Sequence, residues 1–301
     1  MVWDTCTIVL HGGSNGVYFT NDIITGSVVL ELKQKRKVEQ MYLKVTGITK
    51  AMWSRPSPTL PYIKIYSQQK KVLDISMDVF KELQAQTVKP GIMSCQFDFM
   101  LPADLPPTYK DSVAKVYYRI IMTSKNAFKI KSKHVIPFIV MNSLNINHIR
   151  EYKIPMVYEL QKTFGNSAKF LLTLKTYRGF ASTQEIPFEA ILTNENKIKV
   201  NKISVALIQK VDYNVSSGYY SSEKTVCKTE YIEILNLAKQ ICMFSLEVPL
   251  VIPSTINQRD PMVDISYALQ VKVNFLFHLP LYTDIPVAVA SVPVSHDIFY
   301  K

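Results

Sequence analysis

Val263-Asp264-Ile265-Ser266-Tyr267-Ala268-Leu269-Gln270-Val271-Lys272-Val273-Asn274-Phe275 places an apolar side chain at every odd position, while Asp264, Ser266, Gln270 and Lys272 hold even ones. Successive side chains of a β-strand point to opposite faces, so this spacing sends seven apolar groups into one layer and the polar ones to the other. A helix would need recurrence at three and four residues, which the stretch does not have. It reads as a long strand with one face in a core and one face toward solvent, the habit of antiparallel sheets.

The same period recurs in both directions. Toward the amino terminus it appears in Ile203, Val205 and Leu207, in Ile186, Phe188, Ala190 and Leu192, and in Phe170, Leu172 and Leu174. It continues in Val116, Tyr118, Ile120 and Met122, in Phe97, Phe99 and Leu101, in Met41, Leu43 and Val45, and in Val28, Leu30 and Leu32. Short strands joined by turn residues, without alternating helices, predict antiparallel β-sandwiches. Only Ile75 to Gln86, with Val79, Phe80 and Leu83 at helical spacing, predicts a short helix. A chain of 301 residues exceeds one usual core, so two domains are expected.

An internal duplication supports that count. Phe97 to Pro102, Tyr118, and Ile136-Pro137-Phe138-Ile139-Val140 are answered in order by Phe244 to Val248 with Ile252-Pro253, Tyr267, and Ile285-Pro286-Val287-Ala288-Val289. Tyr118 to Tyr267 and Pro137 to Pro286 are both separated by 149 residues. The expected organisation is a sandwich over 1–141, a hinge over 142–155 and a second sandwich over 156–301.

These residues resemble the arrestin fold and, within it, the arrestin-domain-containing proteins or α-arrestins. The likeness rests on Tyr18 leading into Ile24-Thr25-Gly26-Ser27-Val28, on Val45-Thr46-Gly47 followed by Trp53, and on Lys89-Pro90-Gly91. It continues through Leu101-Pro102 with Leu105-Pro106-Pro107-Thr108-Tyr109, Leu192-Thr193-Asn194, Ile252-Pro253 and Ile265-Ser266-Tyr267. Thr183-Gln184-Glu185 stands where many relatives have a Gly-containing turn. The resemblance implies a non-catalytic adaptor in membrane-protein trafficking, peripheral at the plasma membrane or endosomes. Its partners would be cytoplasmic tails of membrane proteins, together with endocytic, sorting or ubiquitination machinery such as a ubiquitin ligase. The alternative is a coat or scaffold subunit similar to the arrestin-like component of retromer.

Composition fits that expectation. No run of apolar residues reaches the roughly 20 needed to span a bilayer, and the amino terminus lacks the form of a signal peptide, so a cytoplasmic location is expected. Cys6, Cys95, Cys227 and Cys242 are scattered and form no C-x-x-C pair, predicting free thiols. His11, His134, His148, His278 and His296 are isolated, so no metal site is predicted. Gly12-Gly13-Ser14-Asn15-Gly16 lacks the Lys-Ser or Lys-Thr of a phosphate loop and reads as a turn, and no G-x-S-x-G elbow occurs. Neither a catalytic residue nor a cofactor is expected.

Charge points to a binding surface. The net charge is +11, and residues 1–141 carry nineteen Lys and Arg against ten Asp and Glu while 142–301 carry sixteen against fourteen. The excess therefore belongs to the first half, and it favours acidic partners. Lys125, Lys129, Lys131 and Lys133 share one face of an extended strand, and Lys33, Lys35, Arg36 and Lys37 form a second cluster. Two readings stand: edge lysines that oppose aggregation, or a site for acidic tails or an anionic lipid surface. With no aromatic-interleaved basic groove and no basic helix, nucleic acid is not an expected partner.

Pro106-Pro107-Thr108-Tyr109 matches P-P-x-Y, which WW domains bind in a polyproline II conformation. Here Pro106, Pro107 and Tyr109 fall at a strand end inside the predicted sandwich, which favours a structural role. α-Arrestins generally carry such motifs in a tail after the second sandwich. With Lys301 soon after Ile285-Pro286, this chain is expected to act through its folded domains.

Overall fold

A computed structural model describes residues 3–56, 62–126, 131–165, 168–235, 237–256 and 261–297. The chain forms two compact units, one built mainly on residues 1–143 and the other mainly on 144–301. Both are β-sandwiches.

The first unit runs β1 (Thr5–His11), β2 (Val17–Phe19), β3 (Ile23–Leu32), β4 (Arg36–Pro56), β5 (Ile63–Met77), β6 (Thr87–Val88), β7 (Gly91–Met100), β8 (Tyr109–Lys110), β9 (Ala114–Asn126) and β10 (Lys131–Met141). One sheet has the order β1-β3-β7, and the other β2-β10-β9-β4-β5 with β6 on β4 and β8 on β9. The apolar positions of period two face inward. Val28, Leu30, Leu43, Val45, Val116, Ile120 and Val140 are all at most 1% exposed. Phe138 of β10 meets Tyr118 in its own sheet at 5.7 Å and Phe99 of β7 in the opposite sheet at 6.2 Å, so its ring joins the two layers.

The second unit runs β11 (Met156–Phe164), β12 (Ala168–Thr176), β13 (Gly179–Ala181), β14 (Glu185–Thr193), β15 (Val200–Val215), β16 (Gly218–Tyr231), β17 (Lys239–Glu247), β18 (Val263–Phe275) and β19 (His278–Ala290). Its sheets are β11-β12-β14-β17 and β13-β19-β18-β15-β16. All seven odd positions of β18 are buried, as its alternation requires. Phe275 of β18 packs edge-on against Phe170 of β12 at 5.0 Å, bridging the layers. The segment from Leu144 onward packs on this unit: Leu144 and Ile146 are buried among Ala288, Ala290 and Val294, and a single helical turn, α1, covers Arg150–Lys153.

The two units repeat one wiring. In each, a three-residue strand pairs in parallel with the last strand, Tyr18 with Val140 and Phe180 with Val289, and the last two long strands, β9 with β10 and β18 with β19, pair antiparallel. The short helical element expected in the first half is the single 3-10 turn Lys81–Leu83. The start of the Ile75–Gln86 interval belongs to β5, where Val45 pairs with Ile75 and Leu43 with Met77.

Candidate anion-binding surface

The β3–β4 turn carries Lys33 and Lys35, and β4 opens on Arg36 and Lys37. Strand register then decides what lies beside them. Val38 of β4 pairs with Asn126 at the end of β9, Gln40 pairs with Lys125, and Lys125 in turn faces Lys131 at the start of β10. The two basic stretches, distant in sequence, therefore converge on one end of the larger sheet of the first unit. Lys133 follows opposite Thr123.

Lys33, Lys35, Lys37 and Lys133 are exposed, and Lys125 is half-buried. Lys129 lies outside the described residues, as does the side chain of Lys131. Arg36 differs from its neighbours. Its Nη2 lies 3.3 Å from Asp4 Oδ1, and the Lys33 amide donates to Asp4 Oδ2 at 2.7 Å. Asp4 thus fastens the turn to the start of the chain and holds the remaining lysines at the rim.

Behind that rim is a cleft of about 210 Å³ between residues 3–6 and the ends of β9 and β10. Its lining includes Trp3, Asp4, Met122, Ser124, Ser132 and His134. Ser124 and Ser132 are hydrogen-bonded through their hydroxyls at 2.8 Å. The sequence did not bring these residues together, because Trp3 and Asp4 meet Ser124, Ser132 and His134 only through the packing of one sheet over another. No local spacing carries that information.

The Pro106-Pro107-Thr108-Tyr109 motif is built into the sandwich. Pro107 is buried and Tyr109 half-buried, with Tyr109 paired to Val116. The Thr108 amide donates to the Val140 carbonyl at 2.7 Å, and the Val140 amide donates to Thr108 Oγ1 at 2.9 Å. Tyr118 closes the motif by donating from its hydroxyl to the Pro106 carbonyl at 2.6 Å.

All four cysteines are free, Cys242 buried and the others half-buried. Burial pushes the Cys6 thiol up to about 11, which leaves it protonated and unreactive at neutral pH. Among the described residues, no group of three or more His, Cys, Asp or Glu is placed to hold a metal. No helix of the described residues is long and apolar enough to cross a membrane.

Comparison with known proteins agrees with the doubled sandwich. Residues 6–147 match the family model for the arrestin (or S-antigen) N-terminal domain, and residues 175–294 match that for the arrestin (or S-antigen) C-terminal domain. Arrestin domain-containing protein 1 of Rattus norvegicus is 23% identical over 218 residues, covering 69% of this chain and 50% of the relative. Its Homo sapiens counterpart is 24% identical over 215 residues, covering 68% and 48%. An arrestin domain-containing protein of Schizosaccharomyces pombe is 26% identical over 204 residues, covering 65% and 33%. The matches thus span half or less of these curated relatives. With one domain model on each sandwich, and relatives that carry arrestin domains, the chain belongs to the arrestin family as an α-arrestin-like member.

Proposed function

We propose that this protein is a non-catalytic adaptor that captures acidic segments, chiefly cytoplasmic tails of membrane proteins, and connects them to sorting or ubiquitination machinery. The observation that carries this reading is the convergence of the Lys33–Lys37 turn with the Lys125 and Lys133 positions at one end of the first sandwich. Each such charge near an anionic surface contributes about 1 kcal/mol. The same cluster suits anionic lipid, which would hold the adaptor near its cargo.

Charge reversal is the direct test. Lys33→Glu, Lys35→Glu and Lys37→Glu with Lys133→Glu, leaving Arg36 to hold Asp4, is expected to weaken binding to acidic tail peptides and anionic vesicles at least tenfold. Affinity for the unaltered chain should also fall as salt rises. Unchanged binding in the reversed variant would reject the reading. Proximity labelling in cells distinguishes the two kinds of assembly: transporters and ubiquitin ligases mark a cargo adaptor, whereas a stoichiometric coat complex marks a structural subunit.

A further inference from the structure

We infer that the cleft behind the basic rim is a binding site for a single carboxylate, an acidic side chain or chain end of the captured tail. This deepens the functional reading given above and rests on it. Trp3 carries the first argument. It lines the cleft, is 3% exposed, and its indole N–H has no hydrogen-bond acceptor among the described residues. An indole N–H can only donate, and a buried donor left unpaired is costly, so the site calls for an acceptor.

The rest of the lining has the same bias. Ser124 and Ser132 share one proton across their 2.8 Å contact. Of their two hydroxyl protons one is used between them, and the other remains to donate elsewhere. His134 adds a ring that can donate. The one carboxylate on the wall, Asp4, is already engaged by the Lys33 amide and Arg36. Donors therefore outnumber acceptors, and an acceptor-only group balances them. A water's share of liquid volume is about 30 Å³, so a cleft of about 210 Å³ has room for a carboxylate with its first methylenes.

Charge decides between carboxylate and phosphate. A site prepared for a doubly charged group would be strongly electropositive and would draw nearby acids toward ionisation. The Cys6 thiol on the same wall moves the other way, up to about 11, through burial. The cleft wall carries one ammonium, Lys133, and one carboxylate, Asp4, beside the Trp3, Ser124 and Ser132 donors, a balance that fits a monoanion, while the other exposed lysines outside provide attraction at longer range.

Trp3 and Trp53 are the two tryptophans of the chain, and Trp53 is stacked on Tyr66 away from the cleft. In a Trp53→Phe background Trp3 is the sole indole reporter. Titration with acetate at constant ionic strength is expected to give a saturable change in Trp3 emission. Neutral acetamide should give little change, and inorganic phosphate should bind more weakly than acetate. Ser124→Ala with Ser132→Ala should weaken the acetate response about tenfold, the usual effect of losing a hydrogen bond to a charged group. Trp3→Phe, assayed by calorimetry with a glutamate-containing tail peptide, gives a second reading that does not depend on the serine variant folding. A silent Trp3, an equal response to acetamide, tighter binding of phosphate, or indifference to both substitutions would overturn the assignment. If charge reversal at Lys33 and Lys37 abolishes tail binding while Trp3 stays silent, the cleft alone is rejected. If Trp3 responds while reversal leaves tail binding intact, the rim reading is the one that fails, and with it the role of this cleft in tail capture.

Discussion

The Tyr118 hydroxyl donates to the carbonyl oxygen of Pro106 at 2.6 Å, closing the chain segment that leads into β9. The second sandwich has the same device. Tyr267 donates to the Ile252 carbonyl at 2.6 Å, and it additionally accepts from Gln209 Nε2 at 2.6 Å. Burial raises both phenols above their ordinary range, Tyr267 to about 12, so each remains a donor at neutral pH. The duplication is thus kept in a hydrogen bond as well as in strand order.

Removing these hydroxyls should have unequal effects. Tyr118→Phe leaves one carbonyl without its donor and is expected to cost about 1 kcal/mol, whereas Tyr267→Phe strands both the Ile252 carbonyl and the buried Gln209 amide and should cost about 2 kcal/mol. Urea denaturation followed by tyrosine and tryptophan fluorescence checks the order. Equal losses would mean that Gln209 finds another acceptor.

Gly47 sits opposite Tyr118, and a Cβ placed there would lie 2.5 Å from the tyrosine ring and 2.9 Å from Leu73 Cβ. The ring lies over the bare backbone of Gly47, which explains why a residue that weakens strands occupies the middle of β4. Gly47→Ala is expected to cost about 2–3 kcal/mol through overpacking. A thermal melt that matches the unaltered protein would show that the ring can move aside.

Much of the fold could be read from the alternation, because burial on one face of a sheet imposes period two without help from distant residues. The offset of 149 between Tyr118 and Tyr267 likewise foretold one wiring used twice. The helical spacing of Val79, Phe80 and Leu83 misled in extent, since pairing of Ile75 and Met77 with β4 carries the chain onward as strand and leaves one 3-10 turn. The basic clusters were visible separately, but their convergence depends on the register of Val38 with Asn126, which sequence does not state. The Trp3 cleft was less legible still, because its walls come from the two ends of the first sandwich's sequence.

Thr183, in the turn before β14, holds a left-handed φ of 67°. That conformation costs an L-residue about 1–2 kcal/mol, most for a β-branched one, and glycine escapes it. Glycine is also freer in the unfolded chain by about 0.4–1 kcal/mol. Thr183→Gly should therefore stabilise the second sandwich by about 0.5–1 kcal/mol, measurable as a higher urea midpoint with an unchanged slope. A lower midpoint would show that the threonine side chain contributes more than its backbone costs.

Glu230 of β16 lies 2.8 Å from Lys202 and also contacts Lys228, and hydrogen bonds from these two ammonium groups, Lys202 foremost, hold its carboxyl down at about 2. A folded-state value below the ordinary one means the contribution to stability is complete above about pH 5 and is lost as pH falls through 4.5 toward 2. NMR titration of the Glu230 side chain should show the low midpoint, and added salt should move it upward because the pair faces solvent. An ordinary midpoint at low salt would contradict the paired geometry.

The P-P-x-Y match allows a sharp contrast between peptide and protein. A synthetic peptide spanning residues 103–112 can adopt polyproline II and should bind a WW domain in fluorescence polarisation. The folded chain should not compete for it, because docking would require breaking the Thr108–Val140 exchange and the Tyr118–Pro106 bond and lifting buried Pro107 out of the sandwich. Each lost bond weighs about 1 kcal/mol and Pro107 burial adds to them, enough to suppress occupancy by at least two orders of magnitude. Mild urea that opens this edge before global unfolding should restore competition. Full competition under native conditions would instead mean that residues 106–109 open readily, and the motif would then be a docking site in its own right.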